Sequence, residues 1–133
     1  MTEGRSILIV EDEPLIAMML EDFLESMGHS VRGTCDTVSG ALEEANKGGF
    51  DLAILDVNLK GESVWPVAAL LRDRGTPFVL ASGGHVEPPP PEFKNAPMIE
   101  KPFTIDRVTP IIEAALAALR HWAATRRRRT VGF

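Results

Sequence analysis

The sequence predicts an α/β domain: a parallel sheet with helices packed on both faces. Three observations carry this. "SILIV" (6–10) and "LAIL" (52–55) are unbroken apolar runs, as strands buried on both faces must be. Between such runs, apolar residues recur at a spacing of three to four, the period of an amphipathic helix. Strand-like and helix-like segments then alternate along the chain, which requires crossover connections and hence parallel pairing. The 133 residues, 44% of them apolar, suit one domain with a substantial core.

The elements follow in order. "SILIV" opens the sheet. Pro14 suits the first turn of a helix, where its missing N–H costs nothing. Leu15, Met19, Phe23 and Met27, with Ile16, Leu20 and Leu24, form a wide apolar stripe, and Gly28 ends the helix. "SVRGTC" (30–35) reads as the second strand, with Cys35 as core filler. "TVSGALEEAN" (37–46) reads as a helix stopped by Gly48 and Gly49. "LAIL" is the third strand, and "VWPVAALLRDR" (64–74) the third helix despite Pro66. "PFVLA" (77–81) is the fourth strand and "MIE" (98–100) a short fifth. A long helix is expected from Ile105 to about Ala124. Its stripe is Ile105, Val108, Ile112, Ala115, Leu119 and Trp122, widened by Ile111, Leu116 and Ala118. Between the fourth and fifth strands lie four consecutive prolines, Pro88 to Pro91, with Pro97 behind them. Each proline removes an amide donor and clashes with the preceding turn, so no helix is expected there.

Ligands of such sheets sit beyond the carboxyl ends of the strands. The residues there are Glu11-Asp12-Glu13, Asp56, Ser82 and Lys101. Glu11, Asp12 and Asp56 would converge at one sheet edge, and carboxylates that close repel unless something positive sits among them. Lys101 is one such group, and Mg²⁺, which takes oxygen ligands and keeps several waters, is another. His29, His85 and His121 lie outside the cluster, which excludes a zinc site. A hydroxyl (Ser82) and an ammonium (Lys101) facing a metal-bound carboxylate make a phosphoryl-binding constellation, and a carboxylate can itself accept the phosphoryl group.

At these residues the chain resembles the receiver domains of two-component response regulators over about residues 5–120. "ILIVEDEP" is similar to the acidic-pair motif, "LAILDVNLKGES" to the phospho-acceptor motif, "VLASGG" to the hydroxyl motif and "EKPF" to the Lys-Pro motif. The resemblance implies a flavodoxin-like doubly wound sheet of five strands in the order 2-1-3-4-5. It also implies Asp56 as phospho-acceptor, Ser82 and Lys101 as its partners, and Mg²⁺ held by Asp12, Asp56 and the Asn58 backbone carbonyl, with Glu11 acting through water. The partner it implies is a histidine kinase or phosphotransfer protein.

The chain departs from the typical pattern twice. The fourth helix is missing or replaced by the proline-rich stretch, which would act as a semi-rigid strap or a mobile flap. The aromatic residue usual three positions before the lysine is Met98, and the chain has no tyrosine. "LASGG" and "PMIEKPF" resemble an atypical branch with a Phe-Ala-Thr-Gly-type motif, with Leu80, Ser82 and Gly84 differing from it.

Net charge is −5, and Arg126 to Arg129 form a basic tail (126–133) behind a receiver body (1–125) carrying 10 basic and 19 acidic groups. Such a body excludes nucleic-acid binding along its own surface. No apolar run is long enough to span a membrane, no signal peptide is evident, and the single cysteine fits a reduced cytoplasmic setting. With no residues for a DNA-binding output domain, the expected role is a stand-alone receiver, not an enzyme. It would signal to an unknown output protein by contact or act as a phosphate sink, as a monomer or as a homodimer through the last helix. The alternatives are a degenerate receiver serving only as an interaction module, and a phosphohydrolase with an aspartyl nucleophile. The latter class carries a D-x-D motif after the first strand, absent from Glu11-Asp12-Glu13.

Overall fold

The structure, a computed structural model, describes residues 4–83 and 88–131, with side chains through Ala118. The chain runs β1 (Ser6–Val10), α1 (Pro14–Ser26), β2 (Ser30–Cys35), α2 (Val38–Lys47) and β3 (Leu52–Asp56). It continues with β4 (Asn58–Leu59), β5 (Glu62–Ser63), α3 (Trp65–Asp73), β6 (Phe78–Ser82), a 3₁₀ turn (Pro91–Phe93), β7 (Met98–Glu100) and α4 (Ile105–Val131). Five strands form one parallel sheet in the order β2-β1-β3-β6-β7. This is the expected order; the numerals differ because β4 and β5 form a separate antiparallel hairpin.

Alternate residues of each strand face opposite layers. Ile7, Ile9, Leu52, Ile54, Val79 and Ile99 pack with α1 and α4. Leu8, Val10, Ala53, Leu55 and Leu80 pack with α2 and α3. Full burial of each leucine, isoleucine or valine among them removes its apolar surface from water, worth roughly 2 kcal/mol apiece. This two-sided burial is why β1 and β3 are apolar without alternation.

Local signals set the boundaries. Thr37 caps α2 by accepting the Gly40 amide at 3.0 Å. Pro14 and Pro66 sit in the first turns of α1 and α3, where no intrahelical donor is lost. Gly28, at φ 90°, follows α1 in a backbone conformation that disfavours side chains.

Three expectations need correction. Leu15 does not belong to the buried stripe of α1: it is 79% exposed, and the buried residues are Ala17, Leu20 and Leu24. The stripe spans too wide an arc for one helix face to hide. Ile105 and Ala118 on α4 are likewise exposed, while Val108, Ile112, Ala115 and Leu116 carry the core contact. And α4 continues to Val131, past the Ala124 expected. The side chains of Leu119, Trp122 and Arg126 to Arg129, as well as Gly84 and His85, lie outside the described residues. Among those described, no helix is long and apolar enough to cross a membrane.

No α-helix lies between β6 and β7 among the described residues. Pro90 has the extended dihedrals of polyproline (φ −53°, ψ 152°), and one 3₁₀ turn follows. The segment is not loose there. Phe93 is buried in the α2/α3 layer, stacked on Trp65 and edge-on to Phe78, with ring centroids 5.8 Å apart in each case. One ring thus occupies the core position from which the helix is missing.

Candidate phosphoryl-accepting site

The carboxyl edge of the sheet gathers the predicted residues. Oxygens of Glu11, Asp12 and Asp56 lie within 4.8 Å of one another. Glu11 directly follows β1 and Asp56 ends β3; these strands pair directly, so parallel pairing brings both carboxyls to the same edge. Glu11 and Asp56 are buried, Asp12 half-buried. Ser82, buried at the end of β6, accepts the Lys101 amide through its carbonyl at 2.9 Å, which fixes the start of the Lys-Pro loop. Lys101 Nζ lies 3.4 Å from Glu13 Oε1 and beside Gly83. A cleft of about 280 Å³ opens among Asp12, Glu13, Asp56, Asn58, Lys60 and Lys101.

The hairpin escaped the sequence reading. Lys60 (φ 49°) and Gly61 (φ 84°) both adopt left-handed backbone, as a two-residue type I′ turn requires. The turn aims the Lys60 amide at Asp12 Oδ2, 3.0 Å away, and Lys60 Nζ at Asp36 Oδ2, 3.2 Å away. "LKGE" with glycine at the second central position was the available signal. Glu13, the ion-pair partner of Lys101, was legible only as a neighbour of the cluster.

Electrostatics follow from burial. Glu11 is pushed up to about 8, first by burial and then by Asp56. Burial also raises Asp56, against hydrogen bonds and the Lys101 charge. Burial works against Asp12 too, but the Lys60 amide and neighbouring hydrogen bonds hold it below the usual carboxylate range. Lys101 loses by burial yet ends above its ordinary value, because Glu11, Asp56 and Glu13 surround it. Glu11 Oε2 accepts the Glu13 amide at 3.1 Å, whereas Oε1 is buried with no hydrogen-bond partner among the described residues. An orphaned carboxylate oxygen beside two further carboxyls is what a hard divalent cation would satisfy, so the donor set fits Mg²⁺.

A pH dependence is expected. Glu11 titrates near 4.5 in the unfolded chain and near 8 in the folded one, so the folded state binds the extra proton. The Glu11 contribution to the stability of the metal-free protein is then full below pH 4.5 and is lost as pH rises towards 8. Thermal melts in chelating buffer should give a Tm several degrees lower at about pH 8.5 than at about pH 5. Glu11→Gln should remove most of that difference; an unchanged difference would overturn the assignment.

This α/β architecture, with acids following β1 and ending β3, a hydroxyl ending β6 and a lysine following β7, defines a receiver-type signalling module. The chain belongs to the response regulator receiver domain family, whose model matches residues 7–113. It is similar to SdrG of Sphingomonas melonis Fr1, at 53% identity and TM-score 0.76, over 90% of this chain and 98% of that one. A structure of SdrG in its BeF3-activated conformation is similar at 51% identity and TM-score 0.74, over 87% of this chain and 99% of that one. The nitrogen assimilation regulatory protein NtrX of Azorhizobium caulinodans is 36% identical over 88% of this chain, but that match spans only 27% of NtrX. The chain spans between 27% and 52% of the length of three such curated relatives.

Proposed function

We propose that this receiver accepts a phosphoryl group on Asp56, in a Mg²⁺-dependent transfer from a histidine kinase or phosphotransfer protein, and signals through protein contact. The observation that carries this is the convergence of the Glu11, Asp12 and Asp56 carboxyls at a cleft that Asp12, Asp56 and Lys101 line. Asp12, Asp56 and the Asn58 carbonyl would hold the ion, with Glu11 acting through water. When bound, it neutralises the carboxylates and the incoming phosphoryl oxygens. An Asp56 oxygen attacks phosphorus as the bond to the donor nitrogen breaks, giving an acyl phosphate. Lys101 leaves Glu13 for the added negative charge, and the Ser82 hydroxyl donates to a phosphoryl oxygen. SdrG, with a BeF3-activated conformation, supports the reading by similarity.

Incubation with a small phosphodonor and Mg²⁺ tests it. One phosphoryl group per chain is expected, stable in acid and labile in base. Labelling that ignores chelation of the metal would overturn the Mg²⁺ requirement, and no labelling at all would overturn the function.

A protein donor must reach the cleft across its rim. Leu15 (79% exposed) and Met18 (58% exposed) stand one turn apart on α1, immediately behind Asp12 and Glu13. Leu15→Arg is expected to slow transfer from the phosphohistidine donor at least about tenfold. Transfer from a small phosphodonor should stay unchanged, and equal slowing of both reactions would sink the docking role.

A further inference from the structure

The acceptor loop and the proline-rich strap meet at one place outside the cleft. Trp65, the first residue of α3, stacks on Phe93 with ring planes 13° apart. Phe78 closes the same ring edge-on. Arg72, farther along α3, lies 5.4 Å over Phe93 and pairs with Glu92 at 2.7 Å. The loop leading from Asp56 to Trp65 has little slack. Val57 donates its amide to Ala81 at 3.1 Å, and Val64 donates to Val57 at 3.2 Å, which closes the base of the hairpin. At the hairpin's tip, the Lys60 amide bonds Asp12 Oδ2. A cation bound to Asp12 would draw on the same carboxylate charge and repel the Lys60 N–H, so this contact would weaken when the site is filled.

We infer that the Trp65–Phe93 stack couples occupancy of the acidic cleft to the strap. Weakening of the Lys60–Asp12 bond moves the hairpin. Its closed base passes the displacement to Val64 and Trp65, and the stacked ring carries it to Phe93. On the other side of the cleft, a Cβ added at Gly83 would touch the Lys101 side chain, so the end of β6 also lies beside a group that responds to the occupant. A ligand shifts a conformational equilibrium only through contacts that differ between states, and the Lys60–Asp12 bond and the Lys101–Glu13 pair are two such contacts. The coupling rests on the reading that Asp56 accepts a phosphoryl group.

Amide NMR shifts on adding Mg²⁺ and beryllofluoride test it, in the full chain and in Trp65→Leu and Phe93→Leu, with thermal melts to establish folding. In the parent protein, shifts are expected at Asp12, at residues 56–58 and at residues 92–96. In either variant the cleft shifts should persist, and those at residues 92–96 should be largely lost. Arg72→Gln, which removes only a half-exposed clamp, should weaken them and covers the case in which the core variants do not fold. Absence of cleft shifts in the parent would overturn the phosphoryl reading and the coupling with it. Cleft shifts accompanied by responses at 92–96 that never occur, or that persist undiminished in the folded variants, would overturn the coupling alone.

Discussion

Asp56→Asn is expected to abolish phosphoryl labelling while the fold stays intact. The amide keeps the size of the side chain but is no nucleophile towards phosphorus, so the label should fall at least about a thousandfold. Lys101→Ala should behave differently. The acceptor remains, but the ammonium that answers the incoming charge is gone, so labelling should slow about a hundredfold and still fall on Asp56. Intact-protein mass spectrometry over a time course separates the two outcomes. A labelled Asp56→Asn protein would remove Asp56 from its role, and a Lys101→Ala protein that labels at the parental rate would remove Lys101.

Phe93→Ala is expected to be strongly destabilising. Phe93 is 4% exposed, and its ring meets Trp65, Phe78 and the Arg72 guanidinium. Truncating a buried phenylalanine costs about 3–5 kcal/mol, a large share of the roughly 5–15 kcal/mol that holds a domain of this size. Phe93→Leu, which keeps most of the apolar volume, should cost much less. Denaturant midpoints with unchanged slopes measure both. A loss below about 1 kcal/mol for Phe93→Ala would mean that the ring is not a core residue.

The sheet was legible because its signal is local. β1 and β3 are buried on both faces, so their residues are uniformly apolar, and β7 was marked by the prolines before it and Lys101-Pro102 after it. The cleft was legible because parallel pairing sends strand ends to one edge, so position in the sequence translates into position in space. What resisted reading depends on tertiary geometry. Leu15 fits a helical stripe as well as Met19 does, and only the width of the α1 contact leaves it in water. The Lys60-Gly61 turn lacks the asparagine or aspartate that announces such hairpins. Phe93 sits among prolines and polar residues, where no periodicity marks it as core. Its burial follows from the gap it fills, and that gap exists only once α3 and β6 are in place.

That last residue has a consequence for how the chain can vary. A packed helix constrains its sequence at every third or fourth position, because a whole stripe must fit. A strap held chiefly by one buried ring, with Ala96 half-buried beside it, places most of that demand on one residue. Pro91, Glu92, Lys94, Asn95 and Pro97 are exposed and free of the core's volume requirements, and the surface they build can change in composition without repacking the sheet. A receiver arranged this way can acquire a new recognition surface by rewriting a loop, with Ser82 and Lys101 left where they are.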